Sequence, residues 1–281
     1  MSPEAFLILA FFASLAGGVL GSLTGLGGGV VIIPILVLLL GVDMRYAVGA
    51  SLVAVIATSS GAAAAFVREG FTNVRLAMLL EVATVSGAVV GALLAAHVPV
   101  PALSVILGVV MLWTAWQSRG APRMVGGHLP PDGLAARLRL NSSYPSVTDE
   151  GALVEERYHV RNVPAGFGLM VVAGVLSALV GVGGGILKVL AMDRMMRVPF
   201  KVSTTTSNFM IGVTAAASAG VYLHRGQIEP AIATPVAMGA LAGSLIGARL
   251  LPRMKTRVLR LVFAVVVAVA GVQMIIKGVR W

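Results

Sequence analysis

The sequence contains no cysteine and has little charge and few aromatic residues. Of its 281 residues, 11% are charged and 6% are aromatic. The absence of cysteine excludes disulfide bonds, thiol catalysis and cysteine-based metal sites. The charged fraction is less than half of the about 25% that soluble domains carry, which excludes an ordinary soluble domain.

Apolar residues take the place of the missing charged residues. The hydrophobic fraction is 58% and the mean hydropathy is +0.95, which predicts an all-α polytopic membrane protein in a lipid bilayer. The net charge is +10, but Lys and Arg lie mostly between apolar runs, so we interpret them as topology signals and expect no nucleic-acid partner. No basic residue precedes the first apolar run, so we expect it to stay in the mature protein.

Two glycine-rich stretches, residues 25–29 and 181–185, lie 156 positions apart. Consecutive glycines do not continue a stable helix, so each stretch predicts a break between two helical segments. The segment after each break, 29–41 or 186–196, is too short to span a bilayer, which needs about 20 residues. We predict that these two segments are half-helices with exposed amides at their start.

Ten apolar segments form two sets of five that align without a gap. They are 5–23, 29–41, 47–67, 75–97 and 101–118, and then 164–180, 186–196, 203–223, 229–251 and 257–277. We therefore predict a membrane repeat at 1–118, a polar linker at 119–163, which could include a short surface helix, and a second membrane repeat at 164–281.

The distribution of charge predicts the orientation of the repeats. With inverted repeats, fifteen Lys and Arg residues lie on the side of the linker and four on the other; with parallel repeats the numbers would be eleven and eight. The basic side of a membrane protein is cytoplasmic. We therefore predict inverted topology in the inner (plasma) membrane, with a cytoplasmic linker and both termini outside.

Broken helices in inverted repeats are typical of secondary transporters. A half-helix that begins at Gly27, Gly28 and Gly29, or at Gly183, Gly184 and Gly185, would point free amides and its positive dipole end at an anion. Lys188, three residues later, could add a full positive charge or act as a gate, or else could extend toward the membrane interface. The predicted partner is a small anion, and we expect no cofactor.

Hydroxyl groups open the third segment of each half. Thr206, Ser207 and Asn208 belong to a polar run in the second half, and Ser51 aligns with Ser207. Hydroxyls and amides could replace the hydration shell of an oxyanion, although a single Ser in a membrane helix more often bonds its own backbone. Glu81 lies inside an apolar run and could carry a coupling proton or act in gating, or could lie near the interface.

Together these motifs resemble the sulfite exporter TauE/SafE family of membrane permeases. The motifs are the two breaks, Ala50-Ser51 and Thr206-Ser207, the turns at Gly70 and Gly226, and Gly-x-x-x-Gly-Ala at 87–92 and 243–248. The resemblance implies transport of sulfite, sulfonates or related small sulfur oxyanions, in either direction. It also implies a binding site formed by both glycine triplets, Ser51, Thr206 and Ser207.

Other functions remain open at this point. An anion channel could use the same amides to line a pore, and a membrane-embedded enzyme is the alternative from another class. The four His residues show no metal-ligand spacing, so we expect no enzyme activity. The sequence is also compatible with a homo-oligomer.

Overall fold

The structure, a computed structural model, describes residues 2–24, 27–68, 70–117, 132–147, 153–250 and 256–280. Residues 25 and 26 of the first glycine stretch, and residues 118–131 and 148–152 of the linker, lie outside the described residues.

The first half contains five helical segments. They are α1 (Pro3–Thr24), α2 (Gly29–Pro34), which continues as a π-helical turn (Ile35–Leu39), α3 (Met44–Arg68), α4 (Val74–Ala95) and α5 (Val100–Gln117). The second segment, eleven residues in all, is about 16 Å long at 1.5 Å per residue, which is half of a bilayer core.

The second half repeats this order. It contains α7 (Val163–Val180), α8 (Gly185–Leu190), which continues as a π-helical turn (Ala191–Met195), α9 (Phe200–His224), α10 (Pro230–Leu250) and α11 (Thr256–Val279). All ten predicted apolar segments are therefore helical. Even the π-helical turns begin at corresponding positions, Ile35 and Ala191, since these positions are also 156 residues apart.

The predicted class is confirmed. The chain is mostly helical (80%) and is an all-α polytopic membrane protein. Within the described residues, five helices are long and apolar enough to cross a membrane: residues 3–22, 74–95, 100–117, 163–180 and 230–247. Exposed Leu, Val, Ile and Met side chains are numerous on these helices, as a lipid-facing surface requires.

The two halves contact each other reciprocally. The first helix of each half packs along the fourth helix of the other, α1 along α10 and α7 along α4, and the fifth helices α5 and α11 pack together. Small residues allow this approach, because a Cβ on Gly87 would lie 2.1 Å from Val171 O and a Cβ on Gly243 would lie 2.1 Å from Leu15 O. Reciprocal contacts are what a pseudo-twofold relation produces. The inverted direction of the halves stays a prediction.

The linker contains a short helix, α6 (Gly133–Arg137), and an antiparallel hairpin that the sequence analysis did not foresee, β1 (Ser142–Val147) and β2 (Leu153–Tyr158). Asn73, which precedes α4, holds this hairpin. Its Nδ2 donates to Leu140 O and to Tyr158 Oη, both at 2.8 Å, while its Oδ1 accepts from Leu76 N and caps α4. Burial raises the pKa of the Tyr158 phenol to about 12, so the phenol stays neutral in this contact.

Candidate functional site

The glycine breaks have backbone conformations that only glycine adopts readily. Gly27 has φ +75°, and Gly183 and Gly184 have φ +79° and +67°. The first hydrogen bonds into α2 run from Val31 and Ile32 to Gly28 O, both at 3.0 Å. The amides ahead of them belong to the first turn of a helix, where backbone N–H groups have no intrahelical partner.

The structure brings the two breaks together. A Cβ on Gly29 would lie 2.9 Å from Gly181 O, and a Cβ on Gly27 would lie 3.6 Å from Val182 O. The same two side chains, Val55 of α3 and Ile211 of α9, are the ones that a Cβ on Gly27 or on Gly183 would meet. The breaks therefore form one centre between the halves.

Ser51 and Ser207 lie at this centre, as the sequence analysis expected. The Ser51 hydroxyl donates to Gly181 O at 2.9 Å, and the Ser207 hydroxyl donates to Gly185 O at 3.2 Å. A Cβ on Gly29 would lie 2.7 Å from Ser51 Oγ, so the glycine is needed to admit the serine. In this conformation both hydroxyl protons bond to backbone carbonyls of the second break.

Corresponding stripes of α3 and α9 face the breaks. Their residues are Ser51, Val55 and Thr58 on α3, and Ser207, Ile211 and Thr214 on α9. The spacing i, i+4, i+7 places three residues on one helical face. All six side chains are buried, so each stripe points inward.

Lys188 and Glu81 meet through a threonine. The Lys188 ammonium donates to Thr214 Oγ1, and the Thr214 hydroxyl lies 2.6 Å from Glu81 Oε1, to which it donates. Lys188 is fully buried and Glu81 is 8% exposed, so both charges are enclosed by the protein. The sequence analysis had considered each charge alone, and the structure joins them in one hydrogen-bonded chain.

Thr206 and Asn208 are near the centre in sequence but have other neighbours. Thr206 Oγ1 accepts a hydrogen bond from Asn73 N at 3.1 Å, which places it under the linker. Asn208 O accepts from Ser59 Oγ, and Ser59 Oγ in turn accepts from Gly212 N at 3.0 Å. This arrangement fixes α3 against α9.

Asn208 Nδ2 and Ser177 Oγ are among the buried donors that have no hydrogen-bond partner in the described residues, and their side chains are 4% and 1% exposed. A Cβ on Gly184 would lie 2.9 Å from Ser177 Cβ, so Ser177 lies beside the second break. Buried donors without a partner are costly and often indicate an absent ligand.

Sequence reasoning missed Thr214 and Ser177. Thr214 could have been found by its position seven residues after Ser207, two turns along the same face. Ser177 had no comparable signal, because it lies in α7 and only tertiary packing brings it to the break. Within the described ranges, no group of three or more His, Asp or Glu side chains could hold a metal ion.

Known proteins similar to this chain are membrane transporters by name. The family model described as sulfite exporter TauE/SafE matches residues 9–274. Probable membrane transporter protein YunE of Bacillus subtilis is 26% identical over 98% of both chains. Probable membrane transporter protein YjnA of the same organism is 25% identical over 98% of this chain and 100% of its own length. No solved structure matches the chain. Because the family model covers nearly all of the sequence, from the first helix to the last, this chain belongs to the TauE/SafE family of sulfite exporters.

Proposed function

We propose that this membrane transporter is a secondary carrier of a small sulfur-containing oxyanion, such as sulfite or an organosulfonate, and not an enzyme. The observation that carries the proposal is the meeting of the two glycine breaks between the halves, with Ser51 and Ser207 beside them. The family's description as sulfite exporters supports the substrate class. Transport in either direction fits the site.

The donors at the centre suit an oxyanion. Gly27, Gly28 and Gly29 in one half and Gly183, Gly184 and Gly185 in the other give backbone N–H groups at the start of short helical segments, which favour negative charge. An anion that replaced the carbonyls of Gly181 and Gly185 would take over the hydroxyl protons of Ser51 and Ser207. Exchange of acceptors leaves every donor paired, so the anion can bind and leave again.

Further donors surround this centre. We assign the unpartnered Ser177 hydroxyl and Asn208 amide to the anion as well, and Lys188 supplies the positive charge. Thr206 lies farther toward the linker, where its hydroxyl accepts from Asn73. We place Thr206 on the path between the centre and the linker side.

Burial favours a carrier over a channel. The side chains of Ser51, Lys188 and Ser207 are fully buried, so water does not reach the centre in this conformation. A carrier passes through closed states of this kind as its halves move around the site. An open pore would expose these side chains.

The distribution of Lys and Arg along the chain supports a membrane location and an orientation. We propose the inner membrane, with residues 119–163 cytoplasmic and both termini outside, because fifteen of the flanking Lys and Arg residues would then face the cytoplasm. The absence of native cysteine allows a direct test. In intact cells a maleimide that does not cross membranes should label Ser2→Cys and leave Ser142→Cys unlabelled; the reverse pattern would overturn the orientation.

The transport site is tested by the effect of anions on thermal stability. A ligand that binds only the folded state stabilises it by about 2.7 kcal/mol at 100 times its dissociation constant. We expect sulfite or sulfoacetate to raise the melting temperature of the purified protein more than sulfate or chloride does. Ser51→Ala and Ser207→Ala should each weaken binding about tenfold, since each removes one hydrogen bond to a charged ligand.

Ser244→Ala is the matched control. Ser244 is also fully buried, but its hydroxyl donates to Leu241 O of its own helix at 2.9 Å, away from the breaks. This variant should respond to anions as the wild type does. If no anion stabilises the wild type, or if the three Ala variants respond alike, the glycine breaks serve packing and not anion binding.

A further inference from the structure

We infer that Lys188, Thr214 and Glu81 form a charge-exchange unit, in which the bound anion replaces Glu81 as the partner of Lys188 and Glu81 takes up one proton. This inference rests on the proposed anion site and assigns its coupling ion. It also gives Thr214 the role of a positioning residue between the two charges.

The pair is isolated in its part of the membrane. The Glu81 carboxylate and the Lys188 ammonium act on each other across Thr214. Helix α7 carries no ionisable residue, and the other ionisable residues of α3, α4, the α8 segment and α9 lie near the ends of their elements: Arg45, Tyr46, Arg68, Arg75, Asp193, Arg194, Lys201, Tyr222 and His224. A change of charge at one partner must therefore be balanced at the other.

Charge balance determines what happens when an anion binds. The empty unit holds one ammonium and one carboxylate and is neutral. A monovalent anion beside Lys188 would leave the buried site with a net negative charge, which a low-dielectric interior strongly disfavours. If a proton from water adds to the Glu81 carboxylate, the site again sums to zero, and no other bond forms or breaks.

The hydrogen bonds allow this exchange. Glu81 Oε2 is buried and has no hydrogen-bond partner among the described residues, so it is the oxygen free to accept the proton. The Thr214 hydroxyl, which now donates to Glu81 Oε1, also lies 3.0 Å from Met210 O. When Glu81 becomes neutral, Thr214 can turn its proton to Met210 O, so the Thr214 hydroxyl keeps an acceptor.

The positions that the repeat relates to this unit do not form a second one. The positions that correspond to Lys188, Thr214 and Glu81 are Ile32, Thr58 and Ala237. The Thr58 hydroxyl donates to Val55 O of its own helix at 3.1 Å. Thr58 is therefore the matched control for Thr214, with the same residue type, the same place in the repeat and no charged neighbour in the chain of hydrogen bonds.

Infrared difference spectroscopy on the full-length protein tests the unit. Adding bisulfite or methanesulfonate, which are monovalent, to wild type should produce the carbonyl band of a newly protonated carboxylic acid. The band should be absent in Glu81→Gln and unchanged in Thr58→Val. In Thr214→Val, Glu81 loses its donor and should be protonated before the anion is added, so the anion should produce no new band; Thr214→Ser should restore the wild-type response.

The pH profile of methanesulfonate binding gives a second readout, since this monovalent anion does not itself take up a proton near neutral pH. One proton bound with each anion means that affinity rises as pH falls, by up to about tenfold per pH unit. Glu81→Gln and Thr214→Val should flatten this profile. If the anion binds wild type with no carboxyl band and with equal affinity across pH, the unit is wrong and the anion site stands. If neither anion binds at all, both proposals fall.

Discussion

Helices α3 and α9 occupy corresponding places in the two halves and carry corresponding stripes. The third residue of each stripe, however, has different contacts in the two halves. Thr58 bonds its own helix, whereas Thr214 joins Lys188 to Glu81. Ser51 and Ser207 both bond glycine carbonyls of the second break. The comparison shows that both halves contribute to the centre formed by the breaks, whereas the charges Lys188, from the second half, and Glu81, from the first, have no charged counterparts at Ile32 and Ala237.

The strongest test of this difference is the same substitution at corresponding positions. Lys188→Met should destabilise the protein by about 3–5 kcal/mol, because it leaves Glu81 buried without its partner. Ile32→Met should cost less than about 1.5 kcal/mol, since it exchanges apolar side chains of similar volume. Denaturant titration of the purified protein measures both.

The cost of Lys188→Met should also depend on pH and on Glu81. An unpartnered Glu81 must be kept neutral by a proton, so the variant should lose stability as pH rises. The double variant Lys188→Met with Glu81→Gln should regain most of the loss. Equal effects at Ile32 and Lys188 would contradict the assignment of a special role to the second half.

At the crossings of α4 with α7 and of α1 with α10, corresponding substitutions should have similar effects in the two halves, unlike those at Ile32 and Lys188. Gly87→Ala and Gly243→Ala each place a Cβ 2.1 Å from a backbone oxygen of the partner helix. The helices must separate, so we expect each variant to lose about 1–3 kcal/mol. Gly168→Ala is the control, since its Cβ would meet nothing within 4 Å. A large difference between the two crossings would argue against equivalent halves.

A smaller effect is expected at the breaks themselves. Gly27 and Gly183 both have positive φ, which costs a residue with a side chain about 1–2 kcal/mol. A Cβ on Gly183 would also lie 2.7 Å from Ile211 Cγ2, whereas on Gly27 the nearest atom would be 3.5 Å away. Gly183→Ala should therefore be the more destabilising of the two in a thermal melt. The reverse order would show that the second break can relax around a methyl group.

The smallest effect concerns the linker, which the structure attaches to the first half at the turn before α4. Tyr158→Phe removes the phenol oxygen that accepts from Asn73 Nδ2 and should cost about 1 kcal/mol. Because Thr206 accepts from Asn73 N, the change should slow transport if the linker holds α9 in place. Tyr144→Phe is the control, since the Tyr144 hydroxyl donates to Glu156 of the same hairpin. If the two variants transport at the same rate, the linker does not affect the site.

The sequence predicted the helices well because a lipid environment imposes length and hydropathy on every spanning segment. It also predicted that the glycine stretches interrupt helices, since positive φ at Gly27 and Gly183 depends on local conformation. The meeting of the breaks could be expected only through the repeat and the analogy with transporters, because contact between residues 29 and 181 depends on how the halves pack.

Two features could not be predicted from the sequence, for physical reasons. The hairpin of the linker is polar and short, and its two strands show no strong alternation of apolar and polar side chains. The pairing of Lys188 with Glu81 depends on Thr214, a residue type that is common in membrane helices and usually bonds its own backbone. Two isolated charges inside apolar segments were a signal that they might pair, but the sequence did not say through which residue.

The Lys188–Glu81 pair also determines the order of events during biogenesis. A ribosome completes Glu81 and the rest of α4 more than a hundred residues before it reaches Lys188. The first half must therefore enter the membrane with Glu81 protonated or facing water, since an acidic residue at the centre of an inserting helix costs about 2.5–3.5 kcal/mol. Arrival of α8 and α9 gives Glu81 the Thr214 hydroxyl and, through it, the Lys188 ammonium, so the unit completes assembly of the two halves into one protein.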